Sequence, residues 1–153
     1  TNATLTPNGA GKFIAKVTGG GGVAKLTISG GGLNPTNFDF RIKPIPDPVA
    51  KLGGSTGGDL GNGVMKAQLG VIAELSGFDF DARCDIAGFE LVYAPKREDP
   101  IVVINGSGTF TADSKRLLNL AKPGDAYYFN NVRARCPGDV AGRKINSLVF
   151  QIK

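Results

Sequence analysis

No histidine and no tryptophan occur in the 153 residues. Without histidine the chain lacks the commonest general acid/base near neutral pH and the commonest metal ligand. Serine or cysteine nucleophiles activated by histidine cannot be assembled from this chain alone. Carboxylate-pair or lysine chemistry stays open in principle, but the expectation is a non-enzymatic protein without cofactor or metal. Cysteine is limited to Cys84 and Cys136, a spacing that is neither a CxxC redox pattern nor a zinc pattern. No Lys/Arg run resembles a nucleic-acid arm or a polybasic membrane patch, so no nucleic acid is expected as partner. The net charge of +5, from 18 basic and 13 acidic side chains, is scattered. There is no Gly-X-Y period, which excludes collagen. No apolar run reaches membrane-spanning length and no signal peptide follows Thr1. The chain is therefore expected to be a mature or excised piece whose anchor or export signal lies upstream.

What is present is glycine, proline and alternation. The 23 glycines and 9 prolines point to many turns and short strands, and the 41% hydrophobic content is enough for a core. In 12–18 the residues Phe13, Ala15 and Val17 share a face before four glycines, Gly19 to Gly22, break the segment. The pattern resumes at Val23 and again in 38–43, where Phe38, Phe40 and Ile42 oppose Asp39, Arg41 and Lys43. Period two with polar partners predicts half-buried antiparallel strands. Pro44, Pro46 and Pro48 then exclude a central strand or helix and predict a stiff linker over 44–49. Residues 1–43 hold about three strands, too few for a closed sandwich, and are expected to be the C-terminal part of a truncated β-sandwich domain. They are expected to complete a sheet with another chain or to pack on the second domain.

The second domain is expected over 50–153. Residues 64–75 fit a bent strand or a short helix, and Gly70 with its glycine-rich flanks favours strand. In 78–86 strict alternation predicts a strand with Phe78, Phe80, Ala82, Cys84 and Ile86 inward and Asp79, Asp81, Arg83 and Asp85 outward. Gly88 reads as a turn, 89–94 and 101–104 as strands, and Asn105-Gly106 as another turn. One helix is expected over 112–121, capped by Thr111, with Leu117, Leu120 and Ala121 on one face. In 126–136 Phe129 and the set Val132, Ala134, Cys136 fall on opposite faces unless Asn130-Asn131 form a bulge. Residues 145–152 close the pattern as a last strand. The fold class is all-β, mainly antiparallel immunoglobulin-like β-sandwich domains with one short helix.

Candidate sites are few. Asn8-Gly9-Ala10-Gly11-Lys12 hints at a phosphate loop, but Thr6 and Phe13 occupy the positions that need Gly and Ser/Thr, so a turn is expected. Asp79, Asp81 and Asp85, with Arg83 between them, form a solvated or partner-facing surface, and the three carboxylates are too spread along a strand to converge on calcium. Arg133, Arg135, Arg143 and Lys144 cluster near the last hairpin, as ordinary surface charge or as a docking patch for an acidic partner. Cys84 and Cys136 are either a structural disulfide or two buried thiols. Asn2-Ala3-Thr4 and Asn105-Gly106-Ser107 are N-glycosylation triplets of a kind that arises often by chance.

Several ordered segments resemble one family. They are Arg41-Ile42-Lys43-Pro44-Ile45-Pro46-Asp47-Pro48-Val49-Ala50-Lys51-Leu52-Gly53-Gly54, then Gly70 to Leu75 with Gly77 to Arg83, Lys122 to Asp125, and Arg143 to Leu148. Together these look like the C-terminal periplasmic region of the GldM/PorM family of the type IX secretion and gliding machinery. The resemblance covers nearly all of 38–153, and 1–37 match only loosely. It implies a homodimeric, β-rich periplasmic scaffold. It also implies an inner-membrane anchor, absent here, where GldL/PorL binds, and a far end that contacts the ring of GldK/PorK and GldN/PorN. The cysteine pair is not a family requirement, but an oxidising periplasm favours the disulfide. The alternative is a secreted immunoglobulin-like adhesion or carbohydrate-binding module, which would usually show an aromatic platform. Only Tyr93, Tyr127 and Tyr128 are available besides phenylalanine.

Overall fold

The structure is a computed structural model that describes residues 3–17 and 20–153. Asn2, which opens one glycosylation triplet, and Gly19, first of the four-glycine run, lie outside the described residues. The chain divides into two units, Thr1–Ile45 and Pro46–Lys153.

The first unit contains two antiparallel hairpins. β1 (Ala3–Pro7) pairs with β2 (Phe13–Val17), and β3 (Gly22–Gly30) pairs with β4 (Leu33–Ile42). The turn at Gly9–Gly11 is closed by the Asn8 N–H donating to the Lys12 carbonyl (2.8 Å), so the glycine–lysine string is a hairpin turn. Four strands stand where about three were expected, and β4 starts at Leu33 rather than Phe38. Pro35 is tolerated inside β4 because a two-stranded ribbon leaves each strand an open edge, where a missing N–H costs no ladder bond. The expected antiparallel pairing holds in this hairpin, but the strands are not half-buried, since Phe38 and Phe40 are both exposed. Ala24 faces Phe40 and Leu26 faces Phe38, while Thr27 on the other side donates to Asn37 (2.7 Å).

The second unit runs β5 (Val49–Lys51), β6 (Gly57–Leu60), α1 (Asn62–Ala67), β7 (Ile72–Glu74), β8 (Asp85–Ala94), β9 (Ile101–Asn105), α2 (Ala112–Asn119), β10 (Ala126–Arg135), β11 (Arg143–Lys144) and β12 (Leu148–Ile152). The main sheet has the order β6-β12-β10-β8-β9, with β11 beside the far end of β10. All its pairs are antiparallel except β6 with β12. Its inner face carries Phe89, Leu91, Tyr93, Tyr127, Phe129 and Phe150 in one apolar core with residues of the small β5–β7 sheet and both helices. The result is a β-sandwich whose second layer is shared between β5–β7 and the helices, and the all-β expectation stands. Phe129 sits among Phe89, Phe110 and Phe150, with ring centroids 5.5, 6.1 and 6.1 Å away. Each such aromatic pair adds about 0.5–1.5 kcal/mol beyond its buried area.

β10 shows why strict alternation fails there. One extra residue lies on β10 between Asn130 and Arg133, with Asn131 at φ +50°. This is the anticipated bulge, and it returns Val132 and Ala134 to the face of Phe129. A second irregularity compensates it, since β8 carries an extra residue where Gly88 and Ile86 oppose Arg133 and Ala134. Gly88 is therefore not a turn but an interior position of β8. It sits at φ +154°, and a Cβ there would meet the Asn105 carbonyl at 2.9 Å, so only glycine fits.

Three other expectations are corrected. Residues 64–75 divide into a helix and a strand, so the unit has two helices rather than one. Met65 is fully buried and drives α1 onto the core, while Gly70 closes so tightly on Gly108 that no side chain fits between them. The strand expected over 78–86 starts only at Asp85. Cys84 makes an isolated bridge to Ala73, and 78–83 are irregular. The last strand begins at Leu148, because Asn146 uses its side-chain amide in place of a ladder. It accepts from Ala50 N–H (2.7 Å) and donates to Ala50 O (3.1 Å). Helix α2 starts where expected and ends at Asn119, two residues short of the expected 121, and it has its Thr111 cap, with Ser114 N–H donating to Thr111 Oγ1 (3.3 Å). Leu117 and Ala121 are buried as anticipated, but Leu118 takes the core place assigned to Leu120, which is exposed.

Candidate docking surface

Cys84 and Cys136 are disulfide-bonded and both are buried. The bond joins the start of β8 to the residue after β10, whose ends are already neighbours through Asp85 and Arg135. It also fastens the segment before Cys84. Gly77 turns there at φ +69°, and the Ala82 N–H donates to the Phe80 carbonyl (2.9 Å) in a tight local turn. The alternation of Phe78 and Phe80 therefore reflects no strand. Phe80 is exposed, and the two rings meet edge-on at 5.4 Å. Asp79, Asp81 and Arg83 are all exposed, but on this irregular segment rather than on one strand face. Beside it lies an open cleft of about 1040 Å³ lined by Leu69, Gly70, Ile72 and Glu74. Its carboxylate Glu74 is held by Lys51 at 2.6 Å. Among the described residues no group of three or more Cys, Asp or Glu converges as a metal site.

The four cations near the last hairpin separate into two sets. Arg133 is directly opposite Lys144, and Arg135 is two residues further along β10; all three are exposed. Arg143 instead pairs across from inward-facing Ala134 and turns to carboxylates. Its Nε and Nη2 donate to the two oxygens of Asp139 (2.8 and 2.7 Å), and Nη1 donates to Asp47 (3.3 Å) and the Pro46 carbonyl (3.4 Å). Such a two-pronged fork is the strong arrangement for guanidinium and carboxylate. The fork, with the Cys136 N–H donating to Asp139 as second cause, holds the Asp139 carboxyl below its usual range. Asp139 raises the Arg143 guanidinium further still. Arg143 is thus a clamp between the loop after Cys136 and the last of the proline-rich stretch, not part of an open patch.

The strongest polar constructions carry residues that no sequence pattern singled out for a site. Asp125 is buried and accepts from Tyr93 Oη (2.8 Å), Lys122 N–H (3.0 Å) and Lys96 N–H (3.1 Å). Tyr93 stacks on Tyr127, whose hydroxyl donates to the Leu117 carbonyl (2.7 Å). Burial first, then the hydrogen bond to Asp125, pushes the Tyr93 hydroxyl up to about 12, and burial raises Tyr127 as well. An unfolded tyrosine ionises near pH 10. The unfolded state therefore sheds the proton first, and stability is expected to be complete below about pH 10 and to fall as pH rises toward 12. Urea midpoints between pH 8 and 12 check this, and Tyr93→Phe should remove part of the decline. An identical alkaline slope in that variant would refute the assignment. Asn105 is fully buried and spends its whole amide on the fold, so the second glycosylation triplet is not an acceptor in this structure. Only a buried Asn at a strand end ahead of a helix cap could have signalled it.

Every buried side-chain nitrogen and oxygen among the described residues has a hydrogen-bond partner. Residues 46–153 match the family of the GldM C-terminal domain, and the chain belongs to that family. It is thereby a component of type IX secretion and gliding, a structural family and not a known enzyme family. No curated protein sequence matches the chain. Among the described residues no helix is long and apolar enough to cross a membrane.

Proposed function

We propose that this chain is a non-enzymatic periplasmic scaffold and docking region linking the inner-membrane motor to the outer-membrane-associated ring. The observation that carries this reading is the family match over 46–153, on a disulfide-fastened domain whose buried polar groups are all committed to structure. In this reading the protein is a homodimer, contacts GldK/PorK and GldN/PorN here, and meets GldL/PorL through a membrane helix outside this chain. The docking surfaces on offer are the segment with Asp79, Asp81 and Arg83 and the face with Arg133, Arg135 and Lys144. The adhesion or carbohydrate-binding alternative gains no support, since Tyr93 and Tyr127 are buried and Tyr128 lies half-buried among valines. Purified chain is expected to retain the GldK/PorK–GldN/PorN pair in a pull-down and to leave a glycan array blank. Glycan binding with no retention of the ring pair would reverse this choice.

Pro44, Pro46 and Pro48 form a stiff linker in the same reading, because proline fixes its own φ and restricts its neighbour. The Arg143 contacts to Pro46 and Asp47 hold its distal end to the second unit. Replacing the three prolines with glycine and serine should leave each unit folded, with a modest loss of melting temperature from the buried Pro48, and reduce secretion in cells. Normal secretion by such a strain would discard the linker's mechanical role.

A further inference from the structure

The outer face of the main sheet departs from what an open antiparallel face normally carries. Such a face alternates to polar residues where it meets water. Here the register places Val102, Val92, Tyr128 and Val149 side by side on four neighbouring strands. Strands lie about 4.8 Å apart, so this apolar row is about 14 Å long from first to last. Ile104, one row over beside Glu90 and Asn130, extends it. Val102 is 53% exposed, Ile104 71% and Val149 41%.

The edge of that face is equally unguarded. β9 is the last strand of the sheet, and its five residues, Ile101–Asn105, contain no charge and no proline. Its pairing with β8 runs without a bulge. Lysine, proline and bulges are the usual protections of an exposed edge. Their absence together with the apolar row indicates a surface that is covered.

The charges on the same face indicate by what. Past the β10 bulge, Arg133, Arg135 and Lys144 project outward beyond Asn130. Asp85, opposite Arg135, and the half-buried Glu90 are the acids in the β8 rows beside them. Asp139 is taken by Arg143, and Asp59, opposite Gln151 on β6, is paired with Lys153 at 2.6 Å. A second copy of this same face carries Arg133, Arg135, Lys144 and Lys153 against Asp85, Glu90 and Asp59, so it offers the cations no net negative surface. A phosphate backbone would neutralise the cations but leave the valine row uncovered.

The geometry points to this sheet face as the docking face of the domain, fitted to an acidic protein surface that carries an apolar ridge. The inference rests on the docking function proposed above and assigns it to one face, away from the segment with Asp79 and Asp81. Apolar contacts in the middle supply most of the affinity, and the basic end supplies orientation and rate of encounter.

The test uses the full chain and the purified GldK/PorK–GldN/PorN pair as probe, with binding measured by interferometry at two salt concentrations. Val102→Asp/Val149→Asp and Arg133→Glu/Arg135→Glu/Lys144→Glu are expected to weaken binding about tenfold or more each. The second set should also flatten the salt dependence. Val140→Asp, on an exposed segment elsewhere, is expected to bind as the unmodified chain does, and Asp79→Asn/Asp81→Asn probes the competing docking segment. Unchanged melting temperatures keep each comparison valid, and a conservative Val102→Thr/Val149→Thr pair stands in should the aspartates unfold the domain. Undiminished binding by the face variants, or loss only in the Asp79/Asp81 variant, overturns the face while leaving the docking function intact. No binding by the unmodified chain overturns both. A dimer in sedimentation that the valine variants dissociate, with ring binding unaffected, makes a second copy the occupant and overturns the acidic partner.

Discussion

Breaking the Cys84–Cys136 bond is expected to lower the free energy of unfolding by roughly 4 kcal/mol. The two cysteines are 52 residues apart in sequence. Closing a loop of that length in the unfolded chain removes about that much conformational freedom at 25 °C, if the whole effect is assigned to chain entropy. The folded chain needs no bond to bring these residues together, because the neighbouring Asp85–Arg135 pair does so already through the β8–β10 ladder. Reduction should therefore leave the main sheet intact while making unfolding easier. Its local effect falls on the segment before Cys84, whose strand-like tie to the rest is the single bridge to Ala73. Both cysteines are buried, so alanine is the cleaner replacement, since serine would add hydroxyls with no provision for them. Denaturant midpoints of the oxidised chain, the reduced chain and Cys84→Ala/Cys136→Ala decide the matter. A shift of the expected size should come with faster amide exchange over residues 75–84. Coincident midpoints with and without reductant would show that the bond contributes nothing.

Asn105→Ala is expected to cost a comparable amount, about 3–4 kcal/mol. The side chain is fully buried at the end of β9. Its amide donates to the carbonyls of Ser107 (2.6 Å) and Thr109 (3.0 Å), and its oxygen accepts from the Thr111 N–H (2.9 Å) and the Ser114 hydroxyl (2.8 Å). Each hydrogen bond contributes about 1 kcal/mol net, and a buried partner left unpaired costs about 1–3 kcal/mol. Two of these four bonds, from the Thr111 N–H and the Ser114 hydroxyl, tie the sheet's edge strand to the cap of α2, where Thr111 and Ser114 are also joined to each other. Removing Asn105 should loosen the start of that helix before the rest unfolds. Thermal melting measures the cost, and amide exchange at Ser114 and Lys115 measures the loosening. Asn105→Asp should not rescue it, because a carboxylate cannot donate to the two carbonyls and brings a charge into a buried place. A variant that melts within a degree or two of the unmodified chain would contradict this account.

Alternation proved a sound guide where the residue pattern was produced by a sheet and misleading where it was not. The second half of β8 shows the expected buried and open faces, and the double asparagine announced the bulge in β10, whereas β3 and β4 pair antiparallel as expected but are largely exposed on both faces. The sequence 78–86 alternates as cleanly as any of these, yet 78–83 form no strand. Period two is necessary for a half-buried strand but does not supply a neighbour to pair with, and β7 is only three residues long. Gly88 shows the same limit from the other side. Glycine punctuates turns, but here it is required inside a strand because the Asn105 carbonyl approaches too closely for a Cβ. The split of 64–75 into α1 and β7 depended on Met65 reaching the core, a fact about packing rather than local preference.

The surface residues divide in the same manner. Arg133, Arg135, Arg143 and Lys144 are close in sequence and chemically alike, and proximity alone groups them. Pairing across β10 and β11 sends Arg143 to Asp139 and Asp47 and leaves the other three together outside. The row of Val102, Val92, Tyr128 and Val149 had no sequence signature, since its members come from four separate strands.

By itself the sequence determined what chemistry this chain cannot build alone and what kind of fold it forms. Missing histidine excludes histidine-based catalysis built from this chain alone, and alternation with abundant glycine commits the chain to short antiparallel strands, because both are properties of single residues or near neighbours. Its ordered motifs likewise pointed to the family that residues 46–153 join. Only the tertiary structure decided that Cys84 meets Cys136, that Asn105 and Asp125 are anchors of the fold, and which charges remain outside. Those outcomes depend on register and on which strands become neighbours. Both are set by how the whole core packs and not by any one segment.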